Sequence, residues 1–167
     1  MEKRVRQYIG LLVAIISYYI IHEGAHLLVA LYYGVFKRVN FMGLIGIQID
    51  VYHTQMTDTQ MGILCLVGAV ATLITGWLLI VFCKYICLLK SKVLRTMAWY
   101  TSLIMLFLDP LYLSVLCGFF GGGDMNGIAL LFPEMGVRIV AAIVGVIHLV
   151  VMVKYLWPSY SKSFEER

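Results

Sequence analysis

The sequence predicts an all-α integral membrane protein: four transmembrane helices, a short re-entrant or half-membrane helix, and a small β-hairpin after the first helix. Three observations lead there. Of 167 residues, 62% are hydrophobic and 13% charged, against about 45–50% and about 25% in soluble domains. Mean hydropathy is +0.90. Four stretches reach the roughly 20 apolar residues that a spanning helix needs. The same composition excludes disorder, a coiled coil and a nucleic-acid partner, all of which need far more charge. The length suits one membrane-embedded domain, 1–167, and no internal repeat, low-complexity tract or linker divides it.

The first span, Tyr8 to Leu31, carries His22, Glu23 and His26 inside it. After it, Ile45, Ile47, Ile49 and Val51 alternate along an extended segment, and Val35 to Met42 can supply a partner strand with Gly43 in the connection. An interfacial loop is the plain alternative for this region. The second span is Met61 to Cys83, and the third, Met97 to Phe120, is interrupted at Asp109-Pro110. Gly121 to Glu134 holds a glycine-rich turn and the apolar run Ile128 to Phe132, too short to cross, hence the half-membrane helix. Val137 to Leu156 is the fourth span and contains His148.

Basic residues set the orientation. With the N-terminus inside, Lys3, Arg4, Arg6, Lys84, Lys90, Lys92, Arg95, Lys154, Lys162 and Arg167 fall on the inner side, and Lys37, Arg38 and Arg138 on the outer. Ten against three places both termini in the cytoplasm, and the expected location is a bacterial cell membrane. The net charge of +4 then anchors the protein to the cytoplasmic face of the bilayer. The basic leader and apolar core imitate a signal peptide, but the helix runs on through a charged cluster without a small-residue cleavage site, so it is read as retained. Cys65, Cys83, Cys87 and Cys117 lie in or beside apolar runs and read as small hydrophobic fillers.

His22-Glu23-Gly24-Ala25-His26 is an HExxH. Residues four apart share a helix face, so both imidazoles can reach one metal ion, and Glu23 beside them can take a proton from its water. A polar cluster gluing helices together would explain one His or one Glu, but not this spacing. A carboxylate at mid-bilayer costs about 2.5–3.5 kcal/mol, which marks such a group as functional.

Catalytic zinc usually takes three protein ligands and leaves one position open. Candidates for the third are Asp124, Asp109, Asp50, Asp58, Glu134, His53 and His148. Asp124 lies in Gly121-Gly122-Gly123-Asp124-Met125-Asn126-Gly127-Ile128, where a sharp glycine turn can aim a carboxylate inward. Asp109 is the rival on depth: it lies about 18 Å from the inner end of its span, and His22 lies about 21 Å along its own. A buried Asp before Pro can also simply serve backbone groups that the proline frees. His148 reads as a packed or helix-bridging histidine, His53 as a surface one.

These motifs resemble the site-2-protease-like intramembrane zinc metalloproteases, peptidase family M50, in its shorter, divergent M50B-like form. The family joins an HExxH in its first core helix to an Asp-containing motif, commonly Leu-Asp-Gly, in a later one. Gly-Asp-Met-Asn-Gly-Ile stands in that place here, so the resemblance carries the third-ligand role to Asp124. No Asn-Pro stretch precedes it, and the family's Gly-Pro-x-x-Asn in the intervening helix is reduced to Gly68-Ala69-Val70-Ala71-Thr72. The resemblance implies a zinc metalloprotease: Zn2+ on His22, His26 and Asp124, and Glu23 as general base. Its partners would be the bilayer and a membrane-anchored or membrane-inserted peptide or protein substrate. It also implies that extended substrate adds to an edge strand, which makes Ile47 and Ile49 candidate substrate contacts; Asn126 or Asn40 are candidates for binding substrate or the developing oxyanion. The alternative is a non-proteolytic zinc-binding membrane protein, such as an immunity or transport-accessory factor, that retains the HExxH site.

Overall fold

The computed structural model describes residues 2–42, 46–119, 121 and 123–165. Helix α1 (Lys3–Tyr32) is followed by strands β1 (Phe36–Met42) and β2 (Gly46–Val51), then α2 (Asp58–Val81), the short α3 (Cys83–Leu88) and α4 (Lys92–Ser114). Helices α5 (Gly123–Ile128), α6 (Glu134–Val151) and α7 (Trp157–Glu165) complete the chain, with a single π turn over Met152–Leu156 joining the last two into one rod. Three helical stretches are long and apolar enough to cross a membrane: Lys3–Tyr32, Asp58–Val81 and Glu134–Glu165.

The expected third span differs. Its helix stops at Ser114 and is followed by a 3-10 turn over Leu116–Gly118; Phe120 lies outside the described residues. It is 23 residues long but does not have the apolar content of the other three. The physical reason is its position. Helix α4 packs against α1, α2 and α6, so its sequence need not be lipid-like, and Thr96, Ser102 and Asp109 are buried on it. By contrast α6 leaves Ile139, Val140, Ile143, Val146 and Ile147 exposed, as an apolar surface facing lipid would be.

Proline does not interrupt α4, contrary to expectation. Pro110 has no N–H to give the Leu106 carbonyl one turn back. His148 of α6 donates from Nδ1 to that oxygen instead, at 2.6 Å. The helix-bridging reading of His148 therefore holds, and Asp109 is not needed for the backbone. A second proline, Pro158, sits just past the π turn, which absorbs the clash that a proline makes with the preceding turn.

Helix α1 buries Gly10, Ala14, Tyr18, His22, His26 and Ala30, a ladder of every fourth residue along one face. Small residues at its ends allow close approach; a Cβ on Gly10 would lie 2.8 Å from the Tyr100 ring. Thr57 and Gln60 cap α2 reciprocally, fixing its start under the hairpin. The hairpin itself forms as one of the two expected alternatives. β1 and β2 are antiparallel, with Phe41 opposite Ile47, Val39 opposite Ile49 and Phe36 opposite Val51. Ile49 and Val51 pack onto Ala30, Val35 and Leu64. Gly43 and Ile45 fall outside the described residues, as does Gly122.

A short helix forms within Gly121 to Glu134, with Asp124 in its first turn, but not over the apolar run. It spans Gly123–Ile128, the Gly-Asp-Met-Asn-Gly-Ile segment itself, while the apolar run Ile128 to Phe132 makes turns. Gly121 and Gly123 have φ of +82° and +37°, the left-handed region that a side chain disfavours. This backbone reversal lets α5 dock on α2, where Gly127 lies against Cys65. Cys65, Cys83, Cys87 and Cys117 are all free thiols, as expected of fillers.

Candidate metal centre

Residues 22 and 26 stand one above the other on the buried face of α1, with ring centroids 4.8 Å apart. Side-chain atoms of His22, Glu23 and His26 lie within 4.8 Å of one another and can hold a metal ion. Asp124, at the start of α5, completes the group. Its Oδ2 is 3.1 Å from His22 Nε2 and 3.6 Å from His26 Nε2. Zinc bonds to N and O of about 2.0–2.1 Å at a tetrahedral angle place ligand atoms about 3.3 Å apart. The donor set fits a four-coordinate metal ion.

Each histidine is oriented from behind. His26 Nδ1 donates to the Leu64 carbonyl at 2.6 Å; since a carbonyl only accepts, the proton sits on Nδ1 and Nε2 keeps its lone pair. Nδ1 of His22 faces Asp109 Oδ1 at 3.4 Å, an ion-pair separation longer than a hydrogen bond. Asp109, 2% exposed, is held on both oxygens: Tyr18 donates to Oδ1 at 2.7 Å and Thr72 bonds Oδ2. A carboxylate behind a ligating histidine fixes the ring and raises its basicity. The depth reasoning that favoured Asp109 was sound in bringing it to His22, but it meets the far nitrogen. Asp109 supports the histidine, and Asp124 meets both Nε2 atoms.

Helix α2 makes room for this. At Gly68 a Cβ would fall 2.5 Å from His26 Nε2 and 2.8 Å from His22 Nε2. Only a residue without a side chain leaves that space open between the two nitrogens. Glycine here and Thr72 one turn on, in the segment that only faintly matches the family's second-helix motif, are both part of the site. So is Tyr18, one turn before His22 and stacked on it at 5.1 Å. Residues 18, 22 and 26, and residues 68 and 72, are spaced by four, and that helical repeat of polar or minimal residues was the available signal.

Glu23 points to the hairpin side. Its Oε2 accepts the Ile49 amide at 3.1 Å. Residues 47 and 51, two along from Ile49, direct their main-chain groups to the same edge of β2, so that edge faces Glu23 and not β1. A cleft of about 450 Å³ lies there, walled by Glu23, His26, Ile49, Cys65, Asp124 and Asn126. Asn126 is exposed in it, whereas Asn40 stands opposite Gln48 on β1. Ile49 is buried and Ile47 half-buried. His53 also lines the cleft. Asp50 is paired with Arg38 at 2.9 Å and Glu134 with Arg138 at 2.7 Å, Asp58 opens α2 and His148 is committed to Leu106; none of these joins the centre. Comparison with protein-family models, with curated proteins and with solved structures returns no match to this chain.

Proposed function

We propose that this protein is an integral-membrane zinc endopeptidase of the site-2-protease type, acting on membrane-anchored or membrane-inserted peptides. In this reading α4 is the third of four spans, shielded by its neighbours, and both termini are cytoplasmic. The observation that carries it is the convergence of two Nε2 atoms and the Asp124 carboxylate beside a cleft lined by Glu23.

His22, His26 and Asp124 would hold the zinc. When bound, zinc supplies Lewis acidity and brings the pKa of water down to about 7. Glu23 lies next to the ligands without being needed as one, so its carboxylate is placed to accept the proton of an attacking water and return it to the leaving amine. The β2 edge supplies main-chain donors and acceptors to an extended substrate segment. A peptide must be unwound to use that edge, since helical amides are already bonded. Substituting Ile47→Pro should slow cleavage by deleting one donor, with zinc content unchanged; normal cleavage by a folded variant would leave the hairpin as packing only.

A second reading has its own support. Glu23 already ties α1 to β2 through Ile49, which is a structural task that a non-hydrolytic zinc protein would also need. Glu23→Gln separates the two. An amide oxygen still accepts from Ile49, but the proton acceptor is gone. Turnover should fall by about 10²–10⁴ while zinc content and thermal stability hold. A zinc-loaded Glu23→Gln protein that still processes its substrate at the normal rate would end the peptidase reading.

A further inference from the structure

At the other end of the bundle, the start of α1, the start of α4 and the end of α7 meet around Phe164. Arg95 is fully buried there, at 0% exposed. Its Nη1 donates to the Ser163 carbonyl and so caps the last turn of α7. Its Nε and Nη2 are enclosed without a hydrogen-bond partner among the described residues, and so is Nε of Arg6. Both guanidinium groups lie over the same ring: Cζ is 5.2 Å from the Phe164 centroid for Arg95 and 5.4 Å for Arg6. Two like charges share one ring, and among the described residues no carboxylate forms an ion pair with either, so this end of the bundle carries uncompensated positive charge.

Two adjoining hollows show what kind of anion fits. Phe164 and Arg6 form part of the wall of a cavity of about 400 Å³ that also includes Lys3 and Thr96, with Glu165 as its acidic member. A second hollow of about 350 Å³ is bordered by Arg4, Tyr8 and Leu11. Gln7 and Tyr100 line both, so the cationic chamber continues along α1 onto an apolar flank where Tyr8 is 71% exposed. A soluble anion would use the chamber alone. A molecule with a charged head and an apolar chain uses both. We infer that this end of the bundle binds an anionic phospholipid, its phosphate in the chamber beside Lys3 and Arg6, with the enclosed Arg95 adding positive charge from behind Phe164, and its acyl chain along Tyr8 and Leu11. The site is independent of the metal centre and needs only that α1 lies in a bilayer.

Each basic side chain near an anionic headgroup contributes about fivefold in affinity. Because Arg95 also caps α7, the variants are confined to Lys3 and Arg6. The full chain would be placed in nanodiscs of mixed phosphatidylcholine and phosphatidylglycerol, and the lipid retained after extraction counted by native mass spectrometry. Phosphatidylglycerol should be retained in preference to phosphatidylcholine. Arg6→Gln should lower that preference about fivefold, and Lys3→Gln with Arg6→Gln about 25-fold, with zinc content unchanged. Millimolar inorganic phosphate should not displace the lipid. Equal retention of the two lipids, or an unaltered preference in the double variant, would overturn the proposal. Displacement by phosphate alone would also overturn it, by making the chamber a site for a soluble anion.

Discussion

His22, His26 and Asp109 are 7%, 5% and 2% exposed, and each faces a group that complements it; Arg95 is 0% exposed and, among the described residues, two of its nitrogens have no partner. The two clusters sit in the same apolar bundle and carry opposite needs. Around the histidines, Tyr18 and Thr72 bond the Asp109 carboxylate and Leu64 takes the His26 Nδ1 proton, His22 Nδ1 faces Asp109 at 3.4 Å without a hydrogen bond, and two Nε2 atoms and the Asp124 carboxylate converge inward. That group can hold a metal ion. Around Phe164 two guanidinium groups meet, and among the described residues three of their donors have no hydrogen-bond partner, while Arg95 Nη1 bonds the Ser163 carbonyl. Polar groups in a low-dielectric interior are kept only where something repays them, and the sign of the unsatisfied remainder tells which ligand does so.

The sharpest break of this contrast is the removal of one inward donor. Asp124→Ala should take zinc from about one per chain to nearly none, as should His22→Ala or His26→Ala, measured by metal analysis of the purified protein. None of these should change phosphatidylglycerol retention at the other end. If Asp124→Ala keeps its zinc while Asp109→Ala loses it, the inner and outer roles of the two carboxylates are reversed.

A subtler break leaves all ligands in place. Gly68→Ala introduces a methyl group 2.5 Å from His26 Nε2 and 2.8 Å from His22 Nε2, in the space the metal would need. On helix propensity alone, Ala in place of Gly adds about 1 kcal/mol of stability. Zinc should nevertheless be lost. Gly24→Ala is the control on the histidines' own helix: nothing lies within 4 Å of its Cβ position, so zinc should stay and the melting temperature rise slightly. Equal zinc content in the two variants would show that Gly68 does not border the metal position.

Asp109→Asn tests the supporting layer. An amide of the same shape keeps an acceptor for Tyr18 or Thr72 but withdraws the charge facing His22 Nδ1. Losing such an outer partner typically weakens zinc by about 10–100-fold. A competition titration with a chelator would read this directly, with stoichiometry still near one at saturating zinc. Unchanged affinity would reduce Asp109 to a helix-bridging polar group.

Much of this was legible beforehand. His22, Glu23 and His26 follow from spacing alone, because four residues on a helix bring two rings to one face, and that holds in any surroundings. The hairpin was legible from the alternation Ile47, Ile49, Val51. The support was harder to see. Leu64 contributes a carbonyl, which every residue has, and Gly68 contributes the absence of a side chain. Neither leaves a chemical mark in a sequence. α4 was legible as a helix, but its apolar content falls below that of the other three long helices, in keeping with its packing against α1, α2 and α6. The arginine chamber was hidden for the opposite reason: Lys3, Arg4, Arg6 and Arg95 all count as boundary charges, and only packing shows that one of them is enclosed.

Pro110 and His148 give the smallest expected effect and the cleanest check that Asp109 is free for its role behind His22. His148→Leu removes the donor to the Leu106 carbonyl, which Pro110 leaves without its own helical partner. Leaving a buried carbonyl unpaired costs about 1–3 kcal/mol, to be read as a lowered midpoint in detergent-solubilised unfolding, with zinc affinity unaffected. In a Pro110→Ala background the chain supplies an amide N–H to Leu106 itself, so His148→Leu should then cost markedly less. That coupling is what a double-mutant cycle measures. If the cost of losing His148 is the same with proline or alanine at 110, the histidine is held by its packing on Trp77 and Phe107 and not by the carbonyl. Asp109 would then regain the backbone as a competing reason for being buried where it is.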